Sequence, residues 1–338
     1  MNDSTKLRVG IVGCGYQGGR LAQAIALVDD LVITACADII PERAAEMAAA
    51  QGQASAHASA EEMLANSSVD VVMVATPHHV LAPISKLAIR AGKHVLAEKP
   101  CGMNAAELAE VEAAAEAAGV RYLAGYSFRY IPAWYKVHEL LKQGVIGEVL
   151  AVMSYIGVGS MDEGWKSTPE TGGGPLMYVG SHVIDQVRWY LQDEAVEVFA
   201  STRFRSDTQA DETSSFQVKF SRGVTAQLMA TQTAQGFTNQ IEIFGRQGSI
   251  SMRPCGFLDF EMTVSSQIVA AYQEPAPIHV PVAGDVRDVK HSQQLRDFIT
   301  AIRTGQPTFT TARDARKVLE VMDAVFTSSR TGERVRLG

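Results

Sequence analysis

Gly13-Cys14-Gly15-Tyr16-Gln17-Gly18 fits the pattern G-x-G-x-x-G. It follows an apolar run, Leu7 to Val12, and opens a segment with helical periodicity, Gly15 to Val28. A strand–turn–helix of this kind is a phosphate cradle. Gly13 makes the tight turn, Gly15 lets the backbone approach a pyrophosphate resting on the helix N-terminal N–H groups, and Gly18 allows close helix–strand packing. Asp38 ends the next apolar run, Leu31 to Ala37, about 20 residues further on, where a carboxylate accepts from the adenosine ribose hydroxyls. Its charge repels a 2′-phosphate. Neither Ile39 nor Ile40 offers a cation, and Arg43 lies a helical turn away, so the expected dinucleotide is NAD rather than NADP.

Two further groups could handle a reacting oxygen. Lys99 ends a strand-like segment, His94 to Ala97, at the end of the sheet where open α/β folds place ligands. Beside a nicotinamide it can hydrogen-bond a hydroxyl or carbonyl and stabilise developing negative charge. His182 has Tyr178 at i−4 and Asp185 at i+3, spacings that put all three on one helix face. A histidine, with an unperturbed pKa of about 6.5, can take a hydroxyl proton. Asp185 either orients that imidazole or is a helix-face hydrogen-bond acceptor. Tyr178 binds substrate, shares the proton relay or fills space; a phenol with a pKa of about 10 cannot act as a carboxylate at pH 7. His138-Glu139 lacks the second histidine of H-E-x-x-H, and no Cys/His quartet is visible, so no metal site is expected.

The elements that must position these groups change character along the chain. The first third alternates strand and helix: Pro41 opens a helix to about Gln51, Val69 to Ala75 is apolar on both faces, Val80 to Ala91 is helical, Asn104 caps an alanine-rich helix stopped by Gly119, and Tyr122 to Gly125 closes the series. That alternation predicts an α/β domain with a doubly wound parallel sheet. Beyond it, Ala133 to Gln143 and Gly180 to Tyr190 are helical, Glu194 to about Ile268 reads as successive strands, and helices follow near Val289 to Thr304 and Thr311 to Ser329. This predicts an α+β domain with an open, mostly antiparallel sheet. The expected division is residues 1–124 for the nucleotide-binding domain and 125–338 for substrate binding and oligomerisation, consistent with 338 residues. The run Val224 to Ala234 carries no charge on either face, which predicts that both faces are covered.

Composition excludes several classes. Hydrophobic residues make up 46% and charged residues 20%, enough apolar material for packed cores. Thirty basic against 37 acidic side chains, a net charge of -7, argue against nucleic acid as a partner. No apolar run is long enough to span a membrane. Met1 to Lys6 is short and polar, so no signal peptide is expected, and the 4 widely spaced cysteines are expected to be reduced thiols in a cytoplasmic protein.

Further motifs occur in order: Thr76-Pro77, Glu98-Lys99-Pro100, Arg129-Tyr130-Ile131-Pro132, Trp165-Lys166, Gly172-Gly173-Gly174-Pro175-Leu176, Gly180-Ser181-His182-Val183-Ile184-Asp185, Leu295-Arg296-Asp297-Phe298, Ala301-Ile302 and Gly305-Gln306-Pro307. Over nearly the whole chain this resembles the glucose–fructose oxidoreductase/inositol dehydrogenase/rhizopine-catabolism (Gfo/Idh/MocA) family. The resemblance implies an N-terminal Rossmann domain, a C-terminal α+β domain, homodimers or homotetramers, and NAD(P)-dependent hydride transfer to or from a secondary alcohol or ketone of a sugar, cyclitol or related polyol. The candidate cofactor contacts are Gly13, Gly15, Tyr16, Gln17, Gly18, Asp38, Ile39, Arg43, Ala75, Thr76, Pro77, His79, Glu98 and Lys99; the candidate substrate contacts are Lys99, Arg129, Trp165, Lys166, Tyr178 and His182.

Three positions depart from the family pattern. Tyr178 stands where Asp-x-Gly-x-His has its aspartate, Leu81 stands where a histidine usually follows the Thr-Pro pair, and Lys166 replaces a frequent arginine. The first departure keeps two alternatives open: an enzyme that oxidises a glycoside transiently with retained NAD, and a non-enzymatic NAD or sugar sensor.

Overall fold

The structure is a computed structural model and describes residues 6–52, 54–159, 163–232, 237–256, 259–282 and 284–338. Met1 to Thr5 and the last two residues of the uncharged run ending at Ala234 lie outside the described residues. The chain forms two compact units, one of residues up to Ser127 with Arg287–Arg316, the other of Phe128–Val286 with Lys317–Gly338.

The first unit alternates β1 (Leu7–Val12), α1 (Tyr16–Ile25), β2 (Leu31–Ala37), α2 (Pro41–Ala50), β3 (Ser55–His57), α3 (Ala60–Asn66), β4 (Val71–Val74), α4 (His78–Arg90), β5 (His94–Glu98), α5 (Ala105–Ala118) and β6 (Tyr122–Gly125). All pairings are parallel, in the order β3-β2-β1-β4-β5-β6. The order reverses between β1 and β4, so the crevice at the carboxyl ends of the strands opens beside Gly13 and Ala75. Local chemistry sets the helix ends. The Asn104 side chain accepts from the Glu107 backbone N–H at 3.0 Å, and Gly119 terminates α5 in the left-handed region at φ +65.

The second unit holds α6 (Pro132–Lys142), β7 (Val149–Val158), α7 (Ser181–Leu191), β8 (Ala195–Phe204), β9 (Asp211–Phe220), β10 (Thr225–Gln232), β11 (Thr238–Gly245), β12 (Gly248–Gly256), β13 (Asp259–Ser266) and β14 (Pro277–His279). Then come α8 (Val286–Thr304), α9 (Ala312–Thr331) and β15 (Val335–Arg336). The sheet runs β14-β13-β12-β11-β7-β10-β9-β8-β15, antiparallel except for β7 against β10. One face buries Val152, Ile156, Phe216, Val218, Leu228, Ile241 and Ile250, and α7 packs over β7 and β10. Of the uncharged run, Ala226, Leu228 and Ala230 are buried whereas Gln227 is exposed, so its second face is only partly covered within the chain.

A single boundary at residue 124 is replaced by a discontinuous division. The α8 side chains Leu295, Phe298 and Ile299 join Val9, Ile11, Leu21 and Ile33 in the core under the parallel sheet. The apolar stripe of α8 finds its buried surface there, so the chain returns to the first unit before Lys317–Gly338 completes the second.

Candidate active site

The glycine turn is shaped by two close approaches. Gly13 has φ +93, and a Cβ there would lie 2.6 Å from the Ala75 carbonyl oxygen. A Cβ on Gly18 would lie 2.0 Å from the Gly13 carbonyl oxygen, so any side chain would push α1 off the turn. At Gly15 a Cβ would meet nothing within 4 Å, leaving open space over the first turn of α1 where a phosphate can reach the N–H groups. Asp38 is 9% exposed, and each of its oxygens accepts from a backbone N–H: Oδ2 from Cys14 at 2.7 Å and Oδ1 from Ile40 at 2.8 Å. Those bonds fix the carboxylate and leave lone pairs for ribose hydroxyls. Ile39, at 90% exposure, and exposed Tyr16 and Arg43 flank the cradle without narrowing it.

Ala75, Thr76 and Pro77 connect β4 to α4, and His79 lies in the first turn of α4. Among the described residues, the Thr76 hydroxyl and His79 Nδ1 are buried without a hydrogen-bond partner. Orphaned polar atoms beside an open glycine cradle and a fixed carboxylate fit a bound dinucleotide.

Glu98 and Lys99 leave β5, the first buried and the second half-buried. Gln17 of the glycine motif donates to Glu98 Oε1 at 2.7 Å, tying the two motifs together. Burial pushes the Glu98 carboxyl above the usual range, against the pull of Lys99, Gln17 and Lys290. Lys290, on α8, was not among the sequence candidates. Its ammonium donates to the Ser127 hydroxyl at 3.0 Å, and burial pushes it down to about 8 while Glu98 pulls it upward. Lys290, Gln294 and Phe298 share one buried stripe of α8, whose polar residues read in the sequence as a solvent face.

In the second unit, His182 is 6% exposed, in the first turn of α7, and its ring stacks on Phe128 with centroids 3.9 Å apart and planes 8° apart. Arg129 Nε donates to Asp185 Oδ2 at 2.9 Å and Nη2 to Oδ1 at 2.6 Å, with side chains 5% and 1% exposed. Arg129, expected among the substrate contacts, is thus held in a buried bidentate pair, and Asp185 binds its guanidinium through both oxygens. Tyr178 lies on a single π turn, Leu176–Gly180, that runs into α7. The Lys166 ammonium donates to the Tyr178 hydroxyl at 3.2 Å and stands 4.6 Å from the ring centroid, while the Trp165 ring meets the Tyr178 ring edge-on at 6.1 Å. Trp165, Lys166 and Tyr178 therefore form one partly buried cluster, one helical turn from His182.

Among the described residues one group could hold a metal ion: Cys255, Asp259 and His279, at the β12–β14 edge, with donor atoms within 4.8 Å of one another. All three are exposed, and three donors fall short of a closed structural zinc site. The sequence reading had no reason to group them, since only the β13–β14 pairing brings His279 alongside. Cys14, Cys36, Cys101 and Cys255 are free thiols. Among the described residues no helix is long and apolar enough to cross a membrane.

Asp38→Ser combined with Ile39→Arg removes the anion beside the ribose and adds a cation. Measured by titration, this variant is expected to bind NADP more tightly than NAD, while the unmodified protein prefers NAD. Equal affinity of the unmodified protein for both nucleotides would contradict the role given to Asp38.

Comparison with known proteins places this geometry. A family model described as the oxidoreductase family, NAD-binding Rossmann fold, matches residues 7–126, and one described as the GFO/IDH/MocA C-terminal domain matches residues 134–251. The chain is 23% identical over 330 residues to the myo-inositol 2-dehydrogenase of Thermotoga maritima, covering 93% of this chain and 93% of that protein. It is 27% identical over 331 residues to the rhizopine catabolism protein MocA of Rhizobium meliloti, covering 95% of this chain and 94% of the other. GenD2 from gentamicin A biosynthesis, solved in complex with NAD, is similar at TM-score 0.86 and 25% identity over 100% of this chain and 98% of that one. Levoglucosan dehydrogenase, solved with NADH and L-sorbose, shares the fold at TM-score 0.91 and 22% identity over 99% of each chain. With an open dinucleotide cradle in one unit and both units matched by models of one family, the chain belongs to the Gfo/Idh/MocA family of NAD-binding sugar and polyol oxidoreductases.

Proposed function

We propose that this protein interconverts a secondary alcohol and the corresponding ketone of a sugar, cyclitol or related polyol. The observation that carries this reading is the cluster of Trp165, Lys166 and Tyr178 one turn from a buried, ring-stacked His182. An indole suits the C–H face of a sugar ring, and an ammonium and a phenol suit its hydroxyls. Bound NAD supplies the acceptor or donor for the hydrogen on the carbinol carbon. The Gly13–Gly18 backbone would hold the NAD pyrophosphate and Asp38 its ribose. His182 takes the hydroxyl proton on oxidation and returns it on reduction, with Phe128 keeping the imidazole in one plane. Lys99 donates to the reacting oxygen and stabilises its charge. Tyr178 orients a substrate hydroxyl but adds no negative charge beside His182. That missing carboxylate favours one second reading, transient oxidation of a glycoside with retained cofactor. The four free thiols support a cytoplasmic location.

His182→Asn and Lys99→Ala are each expected to lower the rate of NADH formation from an accepted polyol by at least about a hundredfold, the scale of a positioned acid–base group. Tyr178→Phe is expected to cost less than either. A nearly silent His182→Asn with a severe Tyr178→Phe would contradict the proton assignment.

We further propose that the open sheet face binds a second copy of the chain. Phe199, Gln217, Gln227 and Met153 share one row across β8, β9, β10 and β7, with Met153 54% and Phe199 43% exposed. Half-exposed apolar side chains on strands to either side of the uncharged β10 make a face suited to association. Light scattering at micromolar concentration is expected to give a dimer or tetramer, and Met153→Lys with Phe199→Lys a smaller species. A monomeric unmodified protein would contradict this.

A further inference from the structure

Asp211 opens β9 and is 2% exposed. Its Oδ2 accepts from the Leu176 backbone N–H at 2.9 Å and from the Ser214 hydroxyl at 3.2 Å. Leu176 is the first residue of the π turn that carries Tyr178, and that turn continues directly into α7 and His182. The carboxylate therefore satisfies an N–H at the start of the segment that bears both candidate groups, where a negative charge also meets the positive end of the helix dipole.

The other oxygen has a more unusual setting. Among the described residues, Oδ1 is buried without a hydrogen-bond partner. It fills the space a side chain at Gly174 would take: a Cβ there would lie 1.8 Å from Oδ1, and Gly174 sits at φ +98. The preceding residues are bound just as closely, with Gly173 N–H donating to the Thr168 carbonyl at 2.7 Å and Gly174 N–H to the Lys166 carbonyl at 3.1 Å. Asp211 is thus lodged between the triple-glycine bend, which continues from Lys166, and the turn that carries Tyr178. Burial pushes its carboxyl up to about 7 against the Leu176 N–H and the Ser214 hydroxyl. A half-satisfied buried carboxyl is a poor way to stabilise a core, and an apolar residue of similar size would avoid its desolvation.

We infer that Asp211 is a positioning residue for the reaction: through Leu176 and the space left by Gly174, its carboxyl holds the Lys166 bend and the Tyr178 turn in register, so that Tyr178 and His182 are presented to substrate together. This inference rests on the roles given to those residues above. Asp211 touches neither substrate nor cofactor in this account. Its effect falls on turnover, not on nucleotide binding, which is confined to the first unit.

The test uses the full chain, with NAD and an accepted polyol. Asp211→Ala removes the acceptor for Leu176, whereas Asp211→Asn keeps an oxygen of the same reach. Asp211→Ala is expected to lower kcat about ten- to a hundredfold, as displaced reacting groups do, with the KM for NAD unchanged. Asp211→Asn is expected to recover most of that loss. Hydrogen exchange of the Leu176–His182 amides is expected to quicken in Asp211→Ala and to return toward normal in Asp211→Asn. Should Asp211→Ala not fold, Asp211→Leu, which keeps the volume but offers no acceptor to the Leu176 N–H, must show the same kcat loss. Unchanged kcat in any folded variant whose Leu176 amide has lost protection would overturn the inference. So would equal damage in Asp211→Ala and Asp211→Asn with exchange over Leu176–His182 unaltered. If the unmodified protein turns over no polyol, the proposed function fails, while the exchange comparison still decides whether Asp211 holds the turn.

Discussion

The buried ion pair between Arg129 and Asp185 is the contact on which the proposed site of the second unit depends. A guanidinium and a carboxylate, each nearly free of solvent, are stable there because two parallel hydrogen bonds satisfy both. Removing either partner would strand a buried charge, at a cost of about 3–5 kcal/mol. The pair also sets orientation. Arg129 adjoins Phe128, whose ring lies flat on His182, and Asp185 is on the same helix as His182. Pinning Arg129 to Asp185 thus fixes both the helix and the ring that lies against its imidazole. The guanidinium also stands 5.7 Å from the Trp189 ring, on which His138, held down to about 4 by burial, stacks at 4.3 Å. An ionised pair is therefore walled by aromatic rings and a neutral imidazole.

The first unit works by exclusion of side chains. Its nucleotide cradle exists because Gly13 and Gly18 let a carbonyl and a helix approach closer than any Cβ allows. Behind that cradle lies a buried polar layer, Gln17–Glu98 and Lys290–Ser127, with His291 pushed down to about 3 by burial and by Lys290. Glu98 and Lys290 each draw the other toward its charged form, and the Lys99 charge acts on both, favouring the Glu98 carboxylate and opposing the Lys290 ammonium. Glu98, at the end of β5, is thus drawn toward its charged form from α8, a helix that lies in the chain between the two segments of the second unit.

What the sequence revealed and what it hid divide along a physical line. Features fixed by neighbours in the chain were legible: β1, β2 and β6 fall where their apolar runs lie, Asn104 and Gly119 bound α5, and the G-x-G-x-x-G turn with Asp38 marked the cradle. The central strand β7 escaped notice because Ser154 sits on its buried face; only the fold supplies the Gln240 carbonyl its hydroxyl needs. The short α3 and β3 were missed, too brief to show a period. The place of α8 was hidden because Lys290, His291 and Gln294 make its buried stripe look like a surface. In the site, helical spacing predicted one face for Tyr178, His182 and Asp185; Tyr178 instead lies on a π turn, and Asp185 is taken up by Arg129. The partners were not legible: Arg129 to Asp185, Gln17 to Glu98 and Leu176 to Asp211 join segments far apart in the chain, and no local pattern announces them.

The central claim is that the chain moves a carbinol hydrogen to NAD and releases the reduced nucleotide. It is tested most directly with a polyol deuterated at its secondary carbinol carbons, incubated with the protein and excess NAD. The account expects reduced nucleotide to accumulate in step with ketone, each molecule carrying one deuterium from the carbinol carbon. Deuterium that returns to the sugar with no accumulation of reduced nucleotide, or a product freed of its glycosidic bond, would contradict it.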